Sequence, residues 1–211
     1  HQNIFENLSS NSKSRADNLL FSIDKDKREI SISIIEIKCR KSIGVSEKED
    51  LKIKMKEQIE NTSLAIRQHF DPKNVTTVDR LDREIKNKEF KTLLSFYIER
   101  AYRYNYLSDN AYNTYCSFLQ TLDEGFCLKF NQLGFIFDFS FSKRHEKEVV
   151  DDSLTFFTFG AKLIEDILDP DSDLNTTRLE EKEFDNELGT ALGTNEALKP
   201  FLQRFKSKIK Q

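Results

Sequence analysis

Asp17, Glu36 and Lys38 are the residues of this chain whose types and spacing could do chemistry. A Glu-x-Lys triplet by itself carries little information, and the chain has four: Glu36-Ile37-Lys38, Glu84-Ile85-Lys86, Glu89-Phe90-Lys91 and Glu180-Glu181-Lys182. The last three fall in stretches that read as helix or acidic surface, where residues i and i+2 point in different directions. The first lies in "EISISIIEIKCR", residues 29–40, where Ile30, Ile32 and Ile34 alternate with polar residues as in a strand. In a strand, i and i+2 share a face. Glu36 and Lys38 therefore continue the face that the isoleucines begin.

A second alternating run, residues 17–23, precedes it across the polar turn "DKDKR", and the pair reads as a hairpin. With the turn centred on Asp26 and Lys27, Ile23 faces Ile30, Phe21 faces Ile32, Leu19 faces Ile34 and Asp17 faces Glu36. Three apolar pairs on one face specify this register, because a slip of one residue would expose all of them. Asp17 and Glu36 then stand about 5 Å apart at the open end of the hairpin. Two carboxylates so close repel each other and favour a cation between them. A hard divalent ion, Mg²⁺ or Mn²⁺, suits such an oxygen site, with the backbone carbonyl of Ile37 as a further ligand. Lys38 beside it would hold or deprotonate an attacking water and offset phosphate charge. That chemistry is phosphodiester hydrolysis.

An acid at the start of one strand and Glu36-x-Lys38 at the end of the next resemble the signature of the PD-(D/E)XK nuclease superfamily, the restriction-endonuclease-like fold. The resemblance covers residues 17–70. It implies that Asp17 and Glu36 bind the metal, that Lys38 assists the water, and that DNA is the substrate. The customary proline before the aspartate is replaced by Ala16. Members often add an upstream acid, for which Glu6 is the candidate, and a polar residue on the following helix, for which Gln58 and Glu57 are candidates. More loosely, "ADNLLFSID", "IIEIKCR", "EQIENTSLAI" and "LLSFYIERAYRYNYL" are similar to nuclease regions attached to helicase-type ATPases in bacterial DNA-restriction and phage-defence systems, including phosphorothioation-dependent ones. That similarity implies an ATPase subunit, or the remainder of a longer chain, as partner. A chain that opens on His1 rather than Met is expected to be cut from a longer one or to be processed.

Other groups carry weaker signals. Arg40 and Lys41 would meet phosphate just beyond the site, with solvated charge an equal reading. Tyr97, Arg100, Tyr102, Arg103, Tyr104 and Tyr106 mix rings with cations in a way that can stack bases and bind backbone. Tyr97, however, belongs to a core stripe, and packing or snorkelling is the preferred account of the others. His69 and His145 have no partner spacing and read as structural or solvated. Asp138 and the pair Asp151-Asp152 read as turn residues rather than a second acidic site. Cys39, Cys116 and Cys127 are widely spaced without a CxxC motif, so neither a disulfide framework nor a zinc site is expected.

The 211 residues carry 33% charged side chains and a net charge of −3. A single large α/β domain with appended parts is expected, cytoplasmic, with no membrane-spanning segment and with self-association left open. The net charge does not announce a nucleic-acid partner, although residues 165–187 are acidic and residues 198–211 basic. Helices are expected over residues 47–70, 77–86, 88–106, 108–122, 161–168 and 196–210. The first carries Ser46 and Glu49 as a capping box. Strands are expected at 126–131, 134–142 and 153–159. The expected fold is a restriction-endonuclease-like mixed sheet flanked by helices, with a helical insertion and additional C-terminal strands and helix. A nuclease-like domain at 1–168 would hold the core hairpin and helix (17–70), the helical part (77–122) and strands (126–160). An acidic linker (169–195) and an amphipathic C-terminal helix (196–211) would follow. The rival is a non-catalytic binding module of the same fold that has lost its activity, and an RNA-directed nuclease is a third option.

Overall fold

The computed structural model describes residues 14–73 and 82–168. Glu6, the linker at 169–195 and the helix expected at 196–211 lie outside the described residues, as do residues 77–81 of the helix expected at 77–86. The described chain is α/β, a five-stranded mixed sheet with helices on its faces.

Strands β1 (Asn18–Asp24) and β2 (Glu29–Arg40) form the antiparallel hairpin expected, with Leu19 opposite Ile34, Phe21 opposite Ile32 and Ile23 opposite Ile30. Ile30, Ile32 and Ile34 are fully buried, each worth about 1.5–3 kcal/mol of burial. That burial is what fixes the register. The turn carries Arg28 at φ 50, and its guanidinium donates to the carbonyls of Gly125 (2.6 Å) and Thr121 (2.5 Å). These bonds tie the closed end of the hairpin to the chain that enters the next strand.

Helix α1 (Val45–Phe70) follows, starting at Gly44 rather than Ser46. The capping carboxylate is Glu47, whose Oε2 accepts the Gly44 N–H at 3.1 Å. Helices α2 (Arg83–Arg103) and α3 (Asp109–Gln120) and a short 3₁₀ turn at Leu122–Glu124 complete the connection. Helix α2 starts and ends earlier than its apolar stripe predicts. It buries Phe90, Leu94 and Ile98, but Tyr97 is turned out to solvent.

Residues 127–138 correct the sequence reading most. The two strands expected at 126–131 and 134–142 are one, β3 (Cys127–Asp138). The gap left at 132–133 is inside the strand, where Asn131 Nδ2 donates to Ser33 Oγ at 3.4 Å and the Gln132 N–H to the Ser153 carbonyl at 2.9 Å. A further strand, β4 (His145–Val149), was not expected at all. It pairs antiparallel with β5 (Leu154–Gly160), which leads directly into α4 (Ala161–Leu168). The sheet order is β1-β2-β3-β5-β4, with β2, β3 and β5 parallel and the two outer strands antiparallel.

One face of the sheet, bearing Ile30, Ile32, Ile34, Phe130, Ile136 and Phe156, packs against Met55, Ile59 and Ile66 of α1 and the buried residues of α2 and α3. The other face packs Leu133, Phe157 and Phe159 against Leu163 and Ile164 of α4. Helix α1 is further clamped to the β4 edge by three lysines four residues apart. Lys48 pairs with Glu146 (3.3 Å), Lys52 with Glu148 (2.5 Å) and Lys56 with Asp151 (3.7 Å). Burial works against the charge on Lys52, but its bond to Glu148 outweighs that and holds its pKa above the ordinary value. A charged edge strand also discourages pairing with another chain.

Candidate functional site

The face that begins with three buried isoleucines ends, as the alternation requires, with Glu36 and Lys38. Strand β1 stops at Asn18, opposite Ile35, so Asp17 is the first residue beyond the ladder. There it exchanges bonds with β2. The Asp17 N–H donates to Glu36 Oε2 at 3.0 Å, and Asp17 Oδ2 accepts the Ile37 N–H at 2.9 Å. In a strand, the N–H and C=O of one residue leave on the same side. The Ile37 carbonyl therefore also faces the gap that β1 leaves open.

Lys38 Nζ lies between the two acids. It is bonded to Glu36 Oε1 and stands 4.0 Å from Asp17 Oδ2. The three groups grade from wet to dry: the Asp17 side chain is 44% exposed, Lys38 23% and Glu36 0%. Burial pushes the Glu36 carboxyl above its ordinary value; Lys38 pulls it back, and the Asp17 charge adds to the rise. A buried acid, an exposed acid and a cation thus share one strand end.

The register places Gly134 of β3 beside Glu36. A Cβ on Gly134 would lie 2.2 Å from the Phe156 ring and 3.2 Å from Met55 Cε. The missing side chain lets the ring and the methionine fill the space next to the carboxylate.

Helix α1 sets the approach of the chain to Asp17. Thr62 Oγ1, 3% exposed at residue level, accepts the Ala16 N–H at 2.9 Å and donates to the Gln58 carbonyl at 2.8 Å. Gln58 Nε2 donates to the Arg15 carbonyl at 3.2 Å. Gln58, a candidate accessory residue from the sequence, is thus bonded to the backbone two residues before the acid. Thr62 stands out in the sequence only as a member of the helix expected at 47–70. The signal for its role is a hydroxyl on a buried helix face, four residues after a glutamine.

The donor set fits a divalent ion. The Asp17 and Glu36 carboxylates meet at a point where the structure already stabilises positive charge, that of Lys38, and the Ile37 carbonyl leaves β2 on the same side as the N–H that binds Asp17. Mg²⁺ typically takes one or two carboxylates and completes its shell with water and phosphate oxygens. Among the described residues there is no cluster of three or more His, Cys, Asp or Glu able to hold a metal, so a site here would rest on two acids.

Arg40 and Lys41 follow at the exposed end of β2, and Arg40 Nη1 donates to the Cys39 carbonyl at 2.9 Å. Asp138 accepts from Ser140 N (2.9 Å) and Oγ (2.7 Å), and Asp151 from Ser153 and Leu154, so both serve turns. His69 does have partners, Glu89 Oε2 at 2.9 Å and Lys86 Nζ at 2.8 Å, at the junction of α1 and α2. Comparison with family models, with curated proteins and with solved structures finds no match to this chain. No helix among the described residues is long and apolar enough to cross a membrane.

Proposed function

We propose that the chain is a metal-dependent endonuclease that hydrolyses DNA phosphodiesters on a restriction-endonuclease-like sheet. The observation that carries this reading is the convergence of the Asp17 and Glu36 carboxylates on the Lys38 ammonium at one strand end. Asp17, Glu36 and the Ile37 carbonyl would hold Mg²⁺ or Mn²⁺. When bound, that ion supplies Lewis acidity to the phosphoryl oxygen and lowers the pKa of a coordinated water. Lys38, released from Glu36, would orient the attacking water and offset the charge that builds on the phosphate. Arg40 and Lys41, exposed just beyond it, would meet the flanking backbone. A role in bacterial restriction or phage defence, in the cytoplasm and alongside an ATPase or helicase-type partner, belongs to the same proposal.

One observation favours a second reading. Both Glu36 oxygens already have partners, Lys38 and the Asp17 N–H, and the side chain has no exposed surface. A chain that keeps this pair locked would be a non-catalytic binding module. Plasmid DNA incubated with the protein and Mg²⁺ or Mn²⁺ separates the two. Cleavage lost in both Asp17→Ala and Lys38→Ala supports the nuclease. Cleavage that survives both removes the site, and no cleavage with either metal supports the module.

A further inference from the structure

Exposed aromatic rings are unevenly distributed on this molecule. Exposed large aliphatic residues are scattered, among them Leu19, Ile53, Leu64 and Ile85, whereas Phe96, Tyr97, Tyr102, Tyr104 and Tyr106 cluster at the C-terminal end of α2 and the turn after it. Tyr102 is committed to α3, stacked on Tyr112 at 4.2 Å and donating to Asp109 at 3.0 Å. Phe96 and Tyr104 are the most open, at 54% and 56%. Together with Arg100 and Arg103 they line a cavity of about 210 Å³, and the Arg100 guanidinium lies 5.9 Å from the Tyr104 ring centre. This arrangement departs from the packing role that the helical stripe suggested for Tyr97 and its neighbours.

The cavity continues into a longer groove along the same helix. The groove shares Phe96 and Glu99 with it and is lined by Arg83, Lys88 and Lys91. Three acids, Glu84, Glu99 and Asp123, also line this surface, against five cations. Asp123 is bonded to Asn87 Nδ2 at 3.3 Å. The lysines of α1 contrast with those of the groove. Lys48, Lys52 and Lys56 each have a carboxylate partner, whereas among the described residues Lys88, Lys91 and Arg103 have none within ion-pair distance. A row of unpaired cations leading to open rings is the arrangement that holds a strand by its phosphates and stacks its bases. Helix α2 is about 30 Å long at the usual rise per residue, which gives room for several nucleotides.

We infer that the exposed face of α2 binds single-stranded nucleic acid, with Lys88, Lys91 and Arg103 on the backbone and Phe96 and Tyr104 stacked on bases. The nuclease reading of Asp17, Glu36 and Lys38 guides only the choice of ligand. The binding itself needs neither metal nor cleavage. The test is fluorescence anisotropy of labelled oligo(dT), oligo(U) and a matched duplex with the whole chain in EDTA. Single strands of either sugar should bind more tightly than duplex. Phe96→Ala or Tyr104→Ala should each weaken single-strand binding roughly 5- to 150-fold, the equivalent of about 1–3 kcal/mol per stacked base. Tyr104→Phe, which keeps the ring, should bind as the parent does. Lys91→Ala with Arg103→Ala should flatten the dependence on salt.

Preference for duplex, or single-strand binding that the ring and cation variants leave unchanged, would overturn the inference. So would sedimentation showing that the same alanines abolish self-association while single-strand binding persists. Repeating the titration with Asp17→Asn, alongside plasmid cleavage by the same variant with Mg²⁺ or Mn²⁺, separates the two proposals. Loss of cleavage with binding intact removes nothing from this one, and cleavage without ring-dependent binding removes this one alone.

Discussion

On the proposed nuclease reading, Lys38 stands where the metal ion would bind, so removing it should strengthen metal binding while ending cleavage. In Lys38→Met the stem keeps its length and the ammonium is lost. A full charge 4.0 Å from Asp17 Oδ2 is worth about 4 kcal/mol at an effective dielectric of 20. That figure must be discounted, because Asp17 is 44% exposed and exposed pairs return about 1 kcal/mol or less. The bond to fully buried Glu36 adds to it, a charge-assisted hydrogen bond worth about 1.5–3 kcal/mol. A divalent ion no longer has to displace the ammonium, so roughly 1.4–2.8 kcal/mol, or ten- to a hundredfold, should appear as tighter binding. Against the rise from burial, Lys38 pulls the Glu36 pKa down in the parent and its loss lets that pKa rise further, so parent and variant are compared at several pH values. The assay is calorimetric titration of Mn²⁺ into parent and variant, without nucleic acid, alongside plasmid cleavage. Tighter Mn²⁺ binding with cleavage down by about 10²–10⁴, the usual contribution of a positioned acid–base group, is the expected pair. Equal or weaker Mn²⁺ binding would refute the idea that Lys38 and the metal compete for the same two carboxylates.

Thr62→Val keeps the shape of the side chain but leaves the Ala16 N–H without its acceptor; the expected cost is about 1–3 kcal/mol of stability, read by chemical denaturation, with Mn²⁺ affinity lowered because Asp17 loses its anchor. Glu36→Gln removes an acid whose folded pKa is raised. Such a group contributes stability that is fully present below its unfolded pKa and is lost as pH rises through the folded value. The parent should therefore lose stability relative to Glu36→Gln as pH climbs above the ordinary glutamate range, and parallel denaturation curves at each pH would contradict this. Gly160→Ala would bring a Cβ to 2.1 Å from the Lys143 carbonyl oxygen and 2.8 Å from that of Phe141. Because backbone cannot step aside cheaply, a loss of about 1–3 kcal/mol or more is expected in thermal or chemical unfolding.

The hairpin and its register were legible because two local facts agree: a short polar turn, and three apolar pairs that can be buried in only one alignment. The position of Glu36 and Lys38 at a strand end followed from the same alternation. Long-range features were not legible. Nothing local says that residues 29–40 pair in parallel with residues 127–138, since that contact is specified only by the burial of both strands under α1. Residues 132–133 read as a break because what holds Gln132 in the sheet, the Ser153 carbonyl, is remote in sequence. "HEKEV" mimicked a loop for a related reason: its acids are matched by α1 lysines nearly a hundred residues earlier. Thr62 likewise looks like any helix residue until the chain before Asp17 is laid against it.

Gly134 has a consequence beyond packing. The parallel register brings this position alongside Glu36, and with no side chain there, the space is occupied by the ring of Phe156 and the tip of Met55. Hydrocarbon from β5 and α1 thus fills the position beside the buried carboxylate. The burial that raises the proton affinity of Glu36 depends in part on a residue that offers no chemical group at all.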